Sequence, residues 1–210
     1  SEIDRHLIDQ FSRRGVPLVF LDVGTVKTRV SNICVDYATG IHQAVDHLRK
    51  LGHRRVAFIS GPIKLKSARM RRTAFVESMA EFRLDRDRSL MVEGNHKVDG
   101  GQAAAGALLA LRRPPTAIVA SNDLTAIGAL RAIHAAGLNV PRDISLVGFD
   151  DIELSQYTEP PLTTVRLSRH ELGKAAFNAL ADMLEEPSGH GQQLRVSTKL
   201  VLRESTARCK

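Results

Sequence analysis

Four short apolar runs in the chain are each followed directly by polar groups. Asp22 follows LVFL, Ser60 and Gly61 follow VAFI, Ser121, Asn122 and Asp123 follow AIVA, and Asp150 and Asp151 follow SLVGF. Hydroxyl, amide and carboxylate groups of these kinds can divide the oxygens of a small polyhydroxylated ligand among them as donors and acceptors. Each cluster has a plainer reading too, because Ser, Asn and Asp behind a strand also cap helices and shape turns. Capping is the alternative for Ser121, and a turn or a subunit contact for Asp151. The basic stretch Lys64, Lys66, Arg69, Arg71 and Arg72 is expected to be a solvated helix face with one inward arginine. A buried arginine beside carboxylates clamps a ligand with charge-assisted hydrogen bonds of about 1.5–3 kcal/mol each.

Catalytic chemistry has no comparable pattern. The sequence contains no G-x-S-x-G, H-E-x-x-H, G-x-x-x-x-G-K-[ST] or G-x-G-x-x-G. His42 and His47 are five residues apart on one helix and share no face. Asp150 and Asp151 are adjacent and point in different directions. Cys34 and Cys209 lie far from one another and from any histidine at ligand spacing, so no disulfide, metal or cofactor is expected. The expectation is a binding protein and not an enzyme.

The elements that position these groups alternate. Apolar runs at residues 18–23, 55–60, 89–92, 117–120 and 144–149 are nearly continuous, as strands buried on both faces are. Between them, Ile41, Ala44, Val45, Leu48 and Leu51 make a helical stripe that Thr39 can cap and Gly52 can close. Leu124, Ile127, Leu130 and Ile133 repeat the device, with Gly137 closing it. Phe75, Val76, Met79 and Phe82 mark a helix over about 67–82. Ser168 and Glu171 form a capping-box signature before a helix that Pro187 stops, with Leu172, Ala176, Ala179, Leu180 and Met183 inward. Residues 159–164 (EPPLTT) form a stiff connection, and 197–202 a last strand-like run. Strands alternating with helices mean parallel sheets covered by helices, whose ligands sit beyond the carboxyl ends of the strands.

With 210 residues, 43% hydrophobic and 25% charged, the chain can bury a core and is not chiefly disordered. No apolar run approaches the roughly 20 residues of a membrane span, and the polar start is unlike a secretory signal, so a cytoplasmic location without membrane partners is expected. The net charge of +7 invites a nucleic-acid partner, yet the chain has no Trp and two Tyr, and no helix-turn-helix or zinc-finger spacing.

Taken together, GHRRVAFISGP (52–62), SARMRRTAF (67–75), VASNDLTAIGALRAIHAAGLNVPRDISLVGFDD (119–151), PPLTTV (160–165) and LVLREST (200–206) resemble the LacI/GalR family of bacterial transcription regulators. The resemblance is collinear over nearly the whole chain. It implies an α/β fold of the periplasmic-binding-protein-like type I, with two doubly wound parallel-sheet lobes and a ligand cleft between them. One lobe would hold residues 1–37 and 167–190, the other 38–166 and 191–210, with crossovers near 36, 164–167 and 192.

Asp22, Arg71, Asn122 and Asp150 match positions that contact the effector in that family. Val35, His96 and Arg169 stand where sugar-binding members carry aromatic or large apolar groups, so that wall is thinner and more basic. An acidic sugar is one ligand consistent with Arg71 and Arg169. The motif R-x-x-G-F has Ala74 in place of its glycine. The resemblance further implies an effector that is a sugar or sugar derivative, and a homodimer with Tyr157, within 151–157, at its contact. DNA would be bound only through an N-terminal helix-turn-helix headpiece that, with the opening strands of the first lobe, precedes this sequence. A sugar-binding protein of an ABC transport system, with the same fold, is the alternative.

Overall fold

The β-rich runs form strands and the amphipathic stretches helices in the computed structural model of the chain, which describes residues 8, 10, 11, 13–22, 24, 26–186 and 189–210. In order these are β1 (Leu18–Leu21), β2 (Val30–Val35), α1 (Tyr37–Lys50), β3 (Val56–Ser60), α2 (Lys66–Glu81), β4 (Met91–Glu93), α3 (Val98–Leu109), β5 (Ala117–Ala120), α4 (Asp123–Ala135), β6 (Ser145–Asp150), β7 (Thr163–Leu167), α5 (Arg169–Glu185), β8 (Gln193–Val196) and β9 (Thr198–Val201). Val23 and Pro187, the expected end of the first strand and stop of the last helix, lie outside the described residues. No helix among the described residues is long and apolar enough to cross a membrane.

The chain divides into two units, one made of the residues up to Asp36 with Ser168–Ser197, the other of Tyr37–Leu167 with Thr198–Lys210. In the first, a parallel sheet of order β1-β2-β8 packs against α5, which buries Ala179 and Met183. The Ser168 hydroxyl accepts from the Glu171 amide at 3.2 Å, capping α5 as its sequence suggests. Strand β2 escapes recognition from sequence because Ser31 and Asn32 interrupt its apolar residues, although both are fully buried. Its partner β8 reads QLRV, with two exposed residues. Pairing from Asn32↔Gln193 to Val35↔Val196 ties residues 193–196 to the first unit, whereas a crossover near 192 would have assigned them to the second.

In the second unit the sheet order is β4-β3-β5-β6-β7-β9, parallel except for β9. Alternate residues of its central strands serve opposite faces. Ala57, Ile59, Ile118, Ala120 and Leu146 join Ala104, Leu108, Ala126, Ala129 and Ile133 of α3 and α4. Phe58 points the other way and stacks on Phe75 of α2, ring centroids 4.8 Å apart. Thr163 and Thr164, the end of the stretch 159–164 expected to be a stiff connection, instead open β7, which pairs with β6 from Val147↔Thr163 onward. Three β-branched side chains, Thr163, Thr164 and Val165, are fully buried there and favour a central strand. Helix α1 begins at Tyr37 instead of behind Thr39, and it buries Ile41, Ala44, Val45 and Leu48. Gly52 (φ +93°) and Gly137 (φ +75°) supply left-handed residues just past α1 and α4.

Helix α3, VDGGQAAAGALL, has too few large apolar residues to show a stripe. Its small residues let it approach α4 closely. A Cβ at Gly128 would collide with the Val98 carbonyl oxygen, and one at Gly101 with the Thr125 carbonyl oxygen, whereas Gly106 faces open space. Gly128→Ala is therefore expected to lower unfolding free energy by about 1–3 kcal/mol in urea titrations. Gly106→Ala is expected to be neutral or to stabilise by about 0.5–1 kcal/mol.

Candidate functional site

Position 71 lies on the inward face of α2, one turn before Phe75, so packing Phe75 onto Phe58 carries Arg71 to the carboxyl ends of the strands. There the residue is only 7% exposed. The guanidinium lies over the rings of Phe149 and Tyr37, 4.3 and 4.7 Å from their centroids. Its Nη1 donates to the Ser121 carbonyl at 2.5 Å, and Nη2 is 3.6 Å from Asp150 Oδ1. The buried Nε finds no acceptor among the described residues. Lys64, Lys66, Arg69 and Arg72 of the same stretch are exposed, so a basic face with one inward arginine is what forms.

Asp150 ends β6 at φ +106°, and Asp151 follows at φ +55°. Such backbone costs about 1–3 kcal/mol per residue and persists only where the surroundings over-determine it. Here Asp151 accepts from Arg203 Nη2 and Arg166 Nε, both at 2.5 Å. Burial opposes ionisation of Asp151, and the two arginines outweigh it, holding its carboxyl below the usual range. With its side chain 6% exposed, Asp151 anchors the turn from within.

Asn122, not Ser121, caps α4: its Oδ1 accepts from the Thr125 amide at 3.0 Å, while Nδ2 donates to the His96 carbonyl at 3.0 Å. His96 has φ +64° and crosses above Gly61, where any Cβ would collide with the imidazole. Its Nε2 is 3.0 Å from the Ser121 hydroxyl. Burial, then the Arg71 charge, lowers the His96 pKa below its ordinary value. Arg71, His96, Asn122 and Asp150 thus form one cluster around Ser121. Behind it, Asp123 is 1% exposed, and burial pushes its carboxyl up to about 7.

Asp22 and Arg169 belong to the first unit. Asp22, 8% exposed at φ +58°, accepts from the Val35 amide at 3.1 Å. Arg169 is exposed at the first position of α5.

Residues 45–206 match the periplasmic binding protein-like domain family. The chain is 33% identical over 208 residues to the probable HTH-type transcriptional repressor ExuR of Bacillus subtilis (strain 168), covering 99% of this chain and 62% of that protein. Among solved structures, the lac repressor dimer bound to operator and the anti-inducer ONPF aligns at TM-score 0.82 and 31% identity, over 97% of this chain and 70% of that one. The chain belongs to the LacI family of regulators. The complex of the transcriptional regulator CelR with cellobiose aligns at TM-score 0.86 and 31% identity, over 96% of this chain and 62% of that one. The chain spans less than two thirds of the length of the curated relatives it matches.

Within this LacI-family unit the sequence left Tyr37 unnoticed. It directly follows Val35 and Asp36, the end of the unrecognised β2, and that position was its only signal. The expected basic wall is corrected in part, since His96 is biased toward the neutral imidazole. A histidine-resolved NMR titration is expected to place its midpoint below 6.5, the ordinary value. Arg71→Met is expected to move that midpoint upward by removing the adjacent cation.

Proposed function

We propose that this chain is the effector-binding and dimerisation portion of a bacterial transcriptional repressor that acts in the cytoplasm. A small ligand, a sugar or sugar derivative, modulates operator binding by a helix-turn-helix headpiece carried elsewhere in the protein. The role is binding, not catalysis. The observation that carries this reading is Arg71, a buried cation whose Nε finds no acceptor among the described residues, set beside Asp150 at the carboxyl ends of a parallel sheet. An arginine and a carboxylate there bridge neighbouring oxygens of a polyol. Asn122 retains one N–H, and His96 presents an imidazole edge. Asp22 and Arg169 are proposed ligand contacts on the resemblance alone. The cellobiose held by CelR supports the ligand class, and the operator bound by the lac repressor dimer supports the DNA partner. The ligand would act by its differential affinity for two conformations of the dimer.

A thermal-shift screen of neutral and acidic sugars tests this. A binder at 100 times its Kd is expected to stabilise the chain by about 2.7 kcal/mol. Arg71→Met is then expected to weaken binding by about tenfold to a hundredfold in calorimetry, with Arg72→Met, on the exposed face of α2, leaving it unchanged. No stabilisation by any sugar would count against the ligand class.

For the dimer, the 3₁₀ turn Glu153–Gln156 and the residue after it carry Leu154 and Tyr157, 58% and 75% exposed. Large apolar groups left this open fit a subunit contact. Tyr157→Asp is expected to give monomers in sedimentation velocity, and an unchanged dimer would remove Tyr157 from the interface.

A further inference from the structure

Asp123 is a buried carboxyl that the ligand reading leaves without a role. It is the first residue of α4, yet its bonds reach two other elements. Oδ2 accepts from the Ile152 amide at 2.8 Å, and Oδ1 accepts from the Thr164 hydroxyl of β7 at 2.5 Å. Ile152 follows the two left-handed residues Asp150 and Asp151, so this amide closes the turn that points Asp150 toward Arg71. The approach is tight on the strand side as well. A Cβ at Gly148, two residues before Asp150, would collide with Asp123 Oδ1.

We propose that Asp123 is a positioning residue of the ligand site: through the Ile152 amide it fixes the left-handed turn that presents Asp150 to Arg71 and to the ligand, an inference that rests on the ligand-binding reading above. Charged groups surround it. Asp150 and Asp151, from the end of β6, both oppose its ionisation. The cations nearby are engaged elsewhere: Arg166 of β7 and Arg203, past β9, hold Asp151, and Arg71 of α2 faces Asp150. The N-terminus of α4, the Ile152 amide and the Thr164 hydroxyl favour the anion, but burial outweighs them and sets the midpoint at about 7. Below that pH the carboxyl is neutral. Above it, a third negative charge forms beside Asp150 and Asp151.

The test compares Asp123→Ala, Asp123→Asn and Asp150→Asn with wild type. Amide exchange is followed by NMR without ligand, and binding of cellobiose, ribose and glucuronate is measured. In Asp123→Ala the Ile152 amide is expected to exchange about tenfold faster while amides of β3 and β5 keep their protection. In Asp123→Asn protection is expected to persist, since the side-chain carbonyl still accepts from Ile152 and its amide can donate to Thr164. For any sugar the wild type binds, Asp123→Ala is expected to weaken affinity about tenfold, and Asp123→Asn to restore it.

Unchanged Ile152 exchange in Asp123→Ala overturns the proposal. Should Asp123→Ala unfold, loss of Ile152 protection in Asp123→Asn overturns it. If no sugar binds wild type, or Asp150→Asn binds as wild type does, the ligand reading falls instead, and Ile152 exchange still decides whether Asp123 holds the turn.

Discussion

A buried guanidinium organises the second unit. Removing a charge from water costs several kcal/mol unless surrounding groups compensate, and Arg71 is 7% exposed. Compensation comes from four directions: the Ser121 carbonyl, the Asp150 carboxylate at 3.6 Å, and the faces of Tyr37 and Phe149. A desolvated cation over an aromatic face gains about 2 kcal/mol. The ionic contact is long and Nε has no acceptor among the described residues. The arginine is therefore held in place while part of its hydrogen-bonding capacity is unspent, which is the condition a binding group must meet. A guanidinium fully satisfied by the protein would have nothing to offer a ligand.

Holding the arginine this way dictates the surroundings. Ring faces must flank it, so Tyr37 opens α1 and Phe149 precedes Asp150 at the end of β6, their centroids 5.8 Å apart. The carboxylate must turn toward it, so β6 ends in two left-handed residues instead of continuing. That turn in turn needs anchors that do not compete for the site. Asp151 provides one by facing inward to Arg203 and Arg166, and Asp123 the other by accepting from Ile152. Of three neighbouring carboxyls, only Asp150 faces Arg71, because Asp151 is matched by arginines and Asp123 is displaced toward its neutral form.

What was legible in the sequence follows from the same physics. Strands β3, β5 and β6 are continuous apolar runs because both faces of their sheet are covered, and among the polar residues just beyond β5 and β6 are two partners of Arg71, Ser121 and Asp150. Strand β2 was hidden because it buries Ser31 and Asn32, which no hydrophobic pattern reports. With it went Tyr37, whose importance lies only in what it packs against. Helix α3 was hidden for the opposite reason. Its glycines and alanines serve close contact with α4, where a stripe of large side chains would prevent the approach that Gly101 and Gly128 permit. Residue type also could not separate neighbours with different duties. Asn122 and Ser121 are equally good caps by composition, and geometry assigns the cap to Asn122 and a histidine contact to Ser121.

The net charge has the same local character. Of the basic stretch on and before α2, Lys64, Lys66, Arg69 and Arg72 stay in solvent, where screening reduces them to a diffuse field. Arg71, one position from Arg72, sits over aromatic rings in a medium of low polarity, where the same unit charge acts at short range and with direction. A count of +7 weighs these arginines equally. Burial separates them: the exposed residues contribute solubility and long-range attraction, and the buried Arg71 keeps an Nε that finds no acceptor among the described residues. Helical phase makes that division, because Phe75 must pack on Phe58 and the residue one turn earlier must then face the same way.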